Sequence, residues 1–229
     1  MTIESFLRFI YPPICMHCRQ PIAGKATLFC ESCASFFELL NPKEHCPTCF
    51  GMGVCDPRCT EIAQKQLKVA ACFDYLEGVQ TFVRAFKQNR MPYLAKTAAC
   101  WMAMQFYRLG WPTPALIIPI PPRGVLQLNH PLIETARSLA KLLGTQYDQP
   151  LGRKRGKWKQ SRLTRAARLQ LPLNTFYCKK PIKMYSSSIL LIDDVMTSKR
   201  TLECALFALS KYCNQPIYAL TVAQTIYIK

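Results

Sequence analysis

Acid is scarce in this chain. Thirteen Asp and Glu stand against thirty Lys and Arg among 229 residues, a formal charge of +17. That imbalance disfavours neutral partners and favours polyanions such as nucleic acid, or anionic substrates. The balance stays strongly basic after eight thiolates and two bound Zn2+ ions are counted. Half of the residues are apolar, yet no apolar run reaches the roughly 20 residues that a membrane-spanning helix needs. The opening residues, Met1 to Arg8, carry neither the basic n-region nor the long apolar h-region of a secretory leader. The expectation is a cytoplasmic protein. In that compartment thirteen cysteines are expected to be reduced or bound to metal, not joined as a disulfide framework.

Eight of those cysteines form four pairs: Cys15-x2-Cys18, Cys30-x2-Cys33, Cys46-x2-Cys49 and Cys55-x3-Cys59. A C-x2-C turn presents two thiolates on one side at a separation suited to tetrahedral zinc, and two such knuckles close a site. One or two structural Zn2+ ions are therefore expected, the second quartet having the looser last spacing. His17 and His45 stand beside the cysteines as substitute ligands. A closed four-sulfur site leaves no open position for chemistry and stabilises a fold too small to hold itself together. Residues 1–66 are read as a small cysteine-rich, double zinc-ribbon-like domain. Cys72, Cys100, Cys178, Cys204 and Cys213 fall outside the pairs and read mostly as core thiols.

From Leu67 the pattern changes to an α/β alternation. Val69 to Tyr75 reads as a strand, and 78–86 as a helix with Val79, Phe82, Val83 and Phe86 on one face. A longer helix from Pro92 to about Leu109 carries the stripe Leu94, Ala98, Trp101, Met102 and Phe106. Ala115 to Pro122 reads as a buried strand ending in a proline-rigid loop, Leu132 to Leu143 as a helix stopped by Gly144, and Ile217 to Ala223 as a last strand. The implied fold is a parallel α/β sheet with helices on both faces, spanning 67–229.

The chemistry gathers near one stretch. Ile189-Leu190-Leu191-Ile192 reads as a buried strand, with Asp193 and Asp194 at its carboxyl end; Thr197, Ser198 and Thr201 then lead into the helix of Leu202, Ala205, Leu206 and Leu209. Ligands of open α/β sheets bind beyond strand carboxyl ends, where helix-start N–H groups favour phosphate. Asp193 and Asp194 can accept from ribose hydroxyls or hold hydrated Mg2+. The bland alternative is two acids ending a strand and a serine capping a helix.

Arg153, Lys154, Arg155, Lys157, Trp158 and Lys159 belong to a stretch, 152–168, with eight basic residues and no acid. Cations neutralise phosphates and an exposed ring can stack on a base, so this is a candidate single-strand nucleic-acid contact. A solvated basic hood over an active site is the competing reading.

The run Asp193-Asp194-Val195-Met196-Thr197-Ser198-Lys199-Arg200-Thr201 resembles the ribose-phosphate loop of type I phosphoribosyltransferases, Asp-Asp-Val-x-Thr-Thr-Gly-x-Thr. Lys199 replaces the loop glycine, a position where free positive φ and close phosphate approach are usual; its ammonium can pair with phosphate instead. Together with the paired cysteines, Pro12-Pro13, Phe86-Lys87, Ile118-Pro119-Ile120-Pro121 and the series Gln160, Leu163, Arg168, Phe176, the chain resembles the ComF family of bacterial competence over nearly its whole length. Where that family has Arg-Gly-Phe-Asn-Gln, this chain has His130-Pro131-Leu132-Ile133-Glu134, and Leu171 stands in place of an asparagine.

The resemblance implies 5-phosphoribosyl 1-pyrophosphate as ligand, with Thr197, Ser198, Lys199, Arg200 and Thr201 at the 5-phosphate. It puts Asp193 and Asp194 at the ribose as the catalytic pair, Lys87 and Arg123 at the pyrophosphate, and Mg2+ aiding pyrophosphate departure. No residue offers itself as general base for an acceptor. Three functions follow: a ComF-like phosphoribosyl-binding protein of DNA uptake, working with competence proteins on single-stranded DNA; a non-catalytic, zinc-stabilised nucleic-acid-binding module; or a salvage phosphoribosyltransferase.

Overall fold

The structure, a computed structural model, describes residues 10–22, 28–53, 55–57, 59–88, 91–122, 130–154, 171–180, 182 and 187–226. Its centre is a five-stranded sheet of β1 (Leu67–Asp74), β2 (Leu116–Pro119), β3 (Gln146–Tyr147), β6 (Ile189–Met196) and β7 (Ile217–Gln224). The spatial order is β1-β7-β6-β2-β3, and every neighbouring pair is parallel. A two-stranded antiparallel ribbon, β4 (Leu151–Arg153) with β5 (Phe176–Cys178), stands apart from it.

Parallel strands carry helices on both faces, so their residues are buried on both sides. Leu190, Leu191 and Ile192 are accordingly inaccessible to solvent, as are Ile117 and Ile118 in β2. The covering helices are α3 (Glu77–Lys87), α4 (Tyr93–Arg108), α5 (Pro131–Leu143) and α6 (Arg200–Leu209), preceded by the short α1 (Glu31–Ala34) and α2 (Cys59–Gln64). The apolar stripes read from sequence are the buried faces: Val79, Phe82, Val83 and Phe86 in α3, and Leu94, Ala98, Met102 and Phe106 in α4. Gly144 ends α5 in the left-handed conformation, φ 64°, that a glycine adopts without steric penalty.

One boundary differs from expectation. The strand of Ile189 does not stop ahead of the acids; β6 runs through Asp193 and Asp194 to Met196. Its partner β7 continues alongside to Gln224, whereas β2 ends at Pro119, opposite Ile192. The prolines that follow cannot extend a ladder, so the two aspartates occupy the part of β6 that has a neighbour on one side only.

The cysteine-rich segment packs directly on this sheet. Phe37 stacks on Trp101 with ring centroids 5.0 Å apart and meets Phe73 edge-on at 5.5 Å, while Phe29 lies 4.5 Å from Phe37. Gln105, inaccessible to solvent, donates from Nε2 to the Leu40 carbonyl at 2.9 Å and to the Ala71 carbonyl at 3.1 Å. One side chain thus ties the segment between the two cysteine quartets to strand β1.

Candidate functional site

The chain leaves β2 through α5 and returns to β3 on one side, and leaves β6 through α6 and returns to β7 on the other. The connections diverge between β2 and β6, which are hydrogen-bonded neighbours. A crevice at the carboxyl ends of such a pair is where open α/β sheets take ligands. Asp193 and Asp194 lie at that point.

Their surroundings are charged. Lys87, at the last position of α3, puts Nζ 3.1 Å from Asp194 Oδ2. The Asp194 backbone N–H donates to Asp193 Oδ1 at 2.8 Å. Desolvation, reinforced by the negative charge of Asp194, pushes the Asp193 carboxyl up to about 7; its hydrogen bond and the charges of Lys87 and Arg153 pull the other way. Asp193 therefore exchanges a proton near neutrality, and a cation or a hydroxyl donor arriving at the site favours its ionised form.

Two residues here come from outside the recognised motif. His130 caps α5, its Nδ1 accepting from the Leu132 N–H at 3.2 Å, which leaves the ring proton on Nε2. Burial lowers its pKa; Asp194 opposes that shift and Lys87 adds to it. Arg153 ends β4, donates from Nε to the Pro121 carbonyl at 3.3 Å, and lies 4.6 Å from the Phe176 ring centroid. Sequence grouped Arg153 with the basic stretch, yet its charge acts on Asp193. Lys154 is exposed. Arg155, Lys157, Trp158 and Lys159 lie outside the described residues, as does Arg123.

Beyond Met196 the loop carries Thr197, half-buried, then Ser198 and Lys199, both buried, into the start of α6. Lys199 has φ 57°, the left-handed region a glycine takes freely. Its ammonium is turned away from the phosphate role expected of it and lies 3.0 Å from Asp56 Oδ2. Arg200 is likewise engaged within the protein: Nε donates to the Leu171 carbonyl at 2.8 Å and Nη1 pairs with Glu203 at 3.1 Å. The loop also carries the hydroxyls of Thr197 and Ser198 and the N–H groups at the start of α6, which are of the kind that donate to anions.

The cysteines form two groups, Cys15, Cys18, Cys30, Cys33 and Cys46, Cys49, Cys55, Cys59, with the sulfurs of each group within 4.8 Å of one another. A tetrahedral Zn2+ with bonds of about 2.3 Å needs sulfurs about 3.8 Å apart. The Cys18–Cys30 and Cys46–Cys59 separations are 3.6 and 3.7 Å. Both groups can hold structural zinc. Burial opposes it, but N–H donors of the knuckles draw the Cys15 thiol down to about 6, and those at Cys46 draw it to about 7; thiolate is the metal-binding form. The two histidines are occupied elsewhere: His17 bonds Thr81 at 2.9 Å, and His45 bonds the Asn41 carbonyl and stacks on Phe50.

No protein-family model matches this chain, and no curated protein matches it. Solved structures similar to it include a purine phosphoribosyltransferase from Pyrococcus horikoshii OT3, 17% identical, covering 57% of this chain and 82% of that one at a TM-score of 0.35. An adenine phosphoribosyltransferase from Leishmania tarentolae is 13% identical, covering 63% and 74% at a TM-score of 0.34.

Of the residues read from the sequence, the structure brings Asp193, Asp194 and Lys87 together and gathers each cysteine quartet. His130 and Asp56 were not among the candidates, and Arg153 was grouped with the basic stretch. Only His130 left a local trace, standing directly before the helix-starting Pro131.

Proposed function

We propose that this protein is a ComF-like, zinc-stabilised phosphoribosyltransferase-like protein that binds 5-phosphoribosyl 1-pyrophosphate with Mg2+. The observation carrying this reading is the meeting, at the divergence of β2 and β6, of two adjacent carboxylates, a lysine on one of them, and a hydroxyl loop entering a helix N-terminus. Asp193 and Asp194 would take the ribose hydroxyls or hydrated Mg2+, residues 197–201 the 5-phosphate, and Lys87, with Arg153 and His130 near it, the pyrophosphate side. Bound Mg2+ would supply charge neutralisation at the leaving pyrophosphate.

Asp193 and Asp194 are assigned to the ribose or Mg2+, and His130 has Nδ1 engaged and its proton on Nε2, so binding is the property proposed and turnover is not. By its resemblance to the competence family the protein acts in the cytoplasm on incoming single-stranded DNA, which the basic stretch 152–168 would contact. Among the described residues no helix is long and apolar enough to cross a membrane. Calorimetric titration with the pyrophosphate ligand and Mg2+, in parallel on Asp194→Asn, tests the reading. Equal affinity in a folded variant overturns it.

A further inference from the structure

The loop that replaces a glycine with Lys199 is joined to the second cysteine group by a buried ion pair. Asp56 lies between Cys55 and Cys59, 143 residues before Lys199. Its carbonyl accepts from the Cys59 N–H at 2.8 Å, so its position is fixed by the turn that also aims the last two sulfurs. Its carboxylate meets Lys199 Nζ at 3.0 Å, with the two side chains 8% and 3% exposed. Lys199 in turn holds φ 57° at the step into α6, where its carbonyl accepts from the Glu203 N–H at 3.0 Å.

A side chain with a Cβ is strained in that conformation, and a buried ammonium is costly when its carboxylate is removed. Each half of the arrangement therefore depends on the other: Asp56 keeps Lys199 in a backbone state it would otherwise leave. Asp56 itself sits in the turn that gathers the last two sulfurs. Clustered thiolates repel one another unless a cation neutralises them, so an empty group opens and carries Asp56 with it.

We propose that Asp56 is a positioning residue for the ligand loop, and that through the Asp56–Lys199 pair Zn2+ in the second cysteine group sets the loop's affinity for a phosphorylated ligand. The pair does the work that a glycine would do without help, and makes it conditional on metal. Linkage requires the reverse as well: ligand in the loop slows zinc loss from Cys46, Cys49, Cys55 and Cys59. This rests on the reading of residues 197–201 as the ligand loop, and one of the two readouts below needs no ligand.

The test uses the full chain, zinc-loaded, as wild type, Asp56→Asn, Lys199→Gly, Asp56→Asn with Lys199→Gly, and Cys55→Ser. The first readout is affinity for 5-phosphoribosyl 1-pyrophosphate with Mg2+. The second is amide hydrogen exchange at residues 197–201 without ligand. Asp56→Asn and Cys55→Ser are expected to weaken binding about tenfold or more and to speed exchange in the loop. The double variant is expected to recover both, because glycine holds positive φ without a partner. A structural loss unrelated to the loop would not be rescued by removing Lys199. Unchanged loop exchange in Asp56→Asn and Cys55→Ser, or a double variant no better than Asp56→Asn, overturns the proposal. If the wild type binds no pyrophosphate ligand, the function proposed above fails, while exchange still decides the coupling.

Discussion

Replacing Lys87 with methionine separates the stability of the site from its binding chemistry. At 3.1 Å the Lys87–Asp194 attraction is roughly 1–5 kcal/mol across effective dielectric constants from that of water down to about 20. Lys87 is 47% exposed, however, so solvent screening and side-chain entropy reduce the folding contribution to about 1 kcal/mol or less. Binding should suffer more. An anionic ligand loses a charge-assisted contact, which in other proteins is worth about 1.5–3 kcal/mol, a ten- to hundredfold loss of affinity.

The same change acts on Asp193. Lys87 is one of the charges holding that carboxyl down to about 7; without it the carboxyl climbs higher. Wild-type affinity for the Mg2+ complex is expected to rise with pH through about 7 as Asp193 ionises, and the rise in Lys87→Met to sit at higher pH. Folding carries the opposite sign. The folded pKa of Asp193 exceeds its ordinary 3.8, so the unfolded chain releases the proton first. This contribution to stability is complete below about 4 and lost as pH rises toward 7. Calorimetry from pH 6 to 9, with urea unfolding from pH 4 to 8, measures all three effects. Unchanged affinity and an unmoved pH profile in a folded Lys87→Met protein would refute the assignment of Lys87 and Asp193 to one site.

Gln105→Leu keeps the bulk but removes the donor to the part-buried Leu40 and buried Ala71 carbonyls; urea unfolding should show a loss of about 2–6 kcal/mol, at about 1–3 per carbonyl left without its donor. Neutralising Arg155, Lys157 and Lys159 together should flatten the salt dependence of single-stranded DNA binding by about two counterions, at about 0.7 per phosphate contact, and leave pyrophosphate-ligand affinity unchanged. Arg153→Ala should do the reverse, because that guanidinium is held at the Pro121 carbonyl and its charge acts on Asp193; loss of DNA binding alone would return Arg153 to the basic stretch.

Features legible in the sequence were those whose cause is local. The apolar run Ile189 to Ile192 announces a buried strand, the 3.6-residue spacing of Val79, Phe82, Val83 and Phe86 announces a helix face, and cysteines two or three residues apart announce metal knuckles. The length of β6 was not local: its last four residues are strand because β7 runs on beside them. Nor was Lys199 readable. Its replacement of a glycine was visible, but whether the ammonium meets phosphate or protein depended on Asp56, a residue that tertiary packing alone brings near. The tie of Arg153 to the Pro121 carbonyl was hidden by its neighbours, since a charge at the start of a basic run looks like the rest of it. Short strands such as β4 and β5 carry too few residues for any periodicity to register.

The most direct measurement is titration of the zinc-loaded protein with 5-phosphoribosyl 1-pyrophosphate, with and without Mg2+, beside Asp194→Asn. The expected result is Mg2+-dependent binding by the wild type, weakened at least about tenfold in a variant that unfolds at nearly the same urea concentration. Absence of binding by the wild type, or equal affinity in the variant, would contradict a phosphoribosyl site at the ends of β2 and β6.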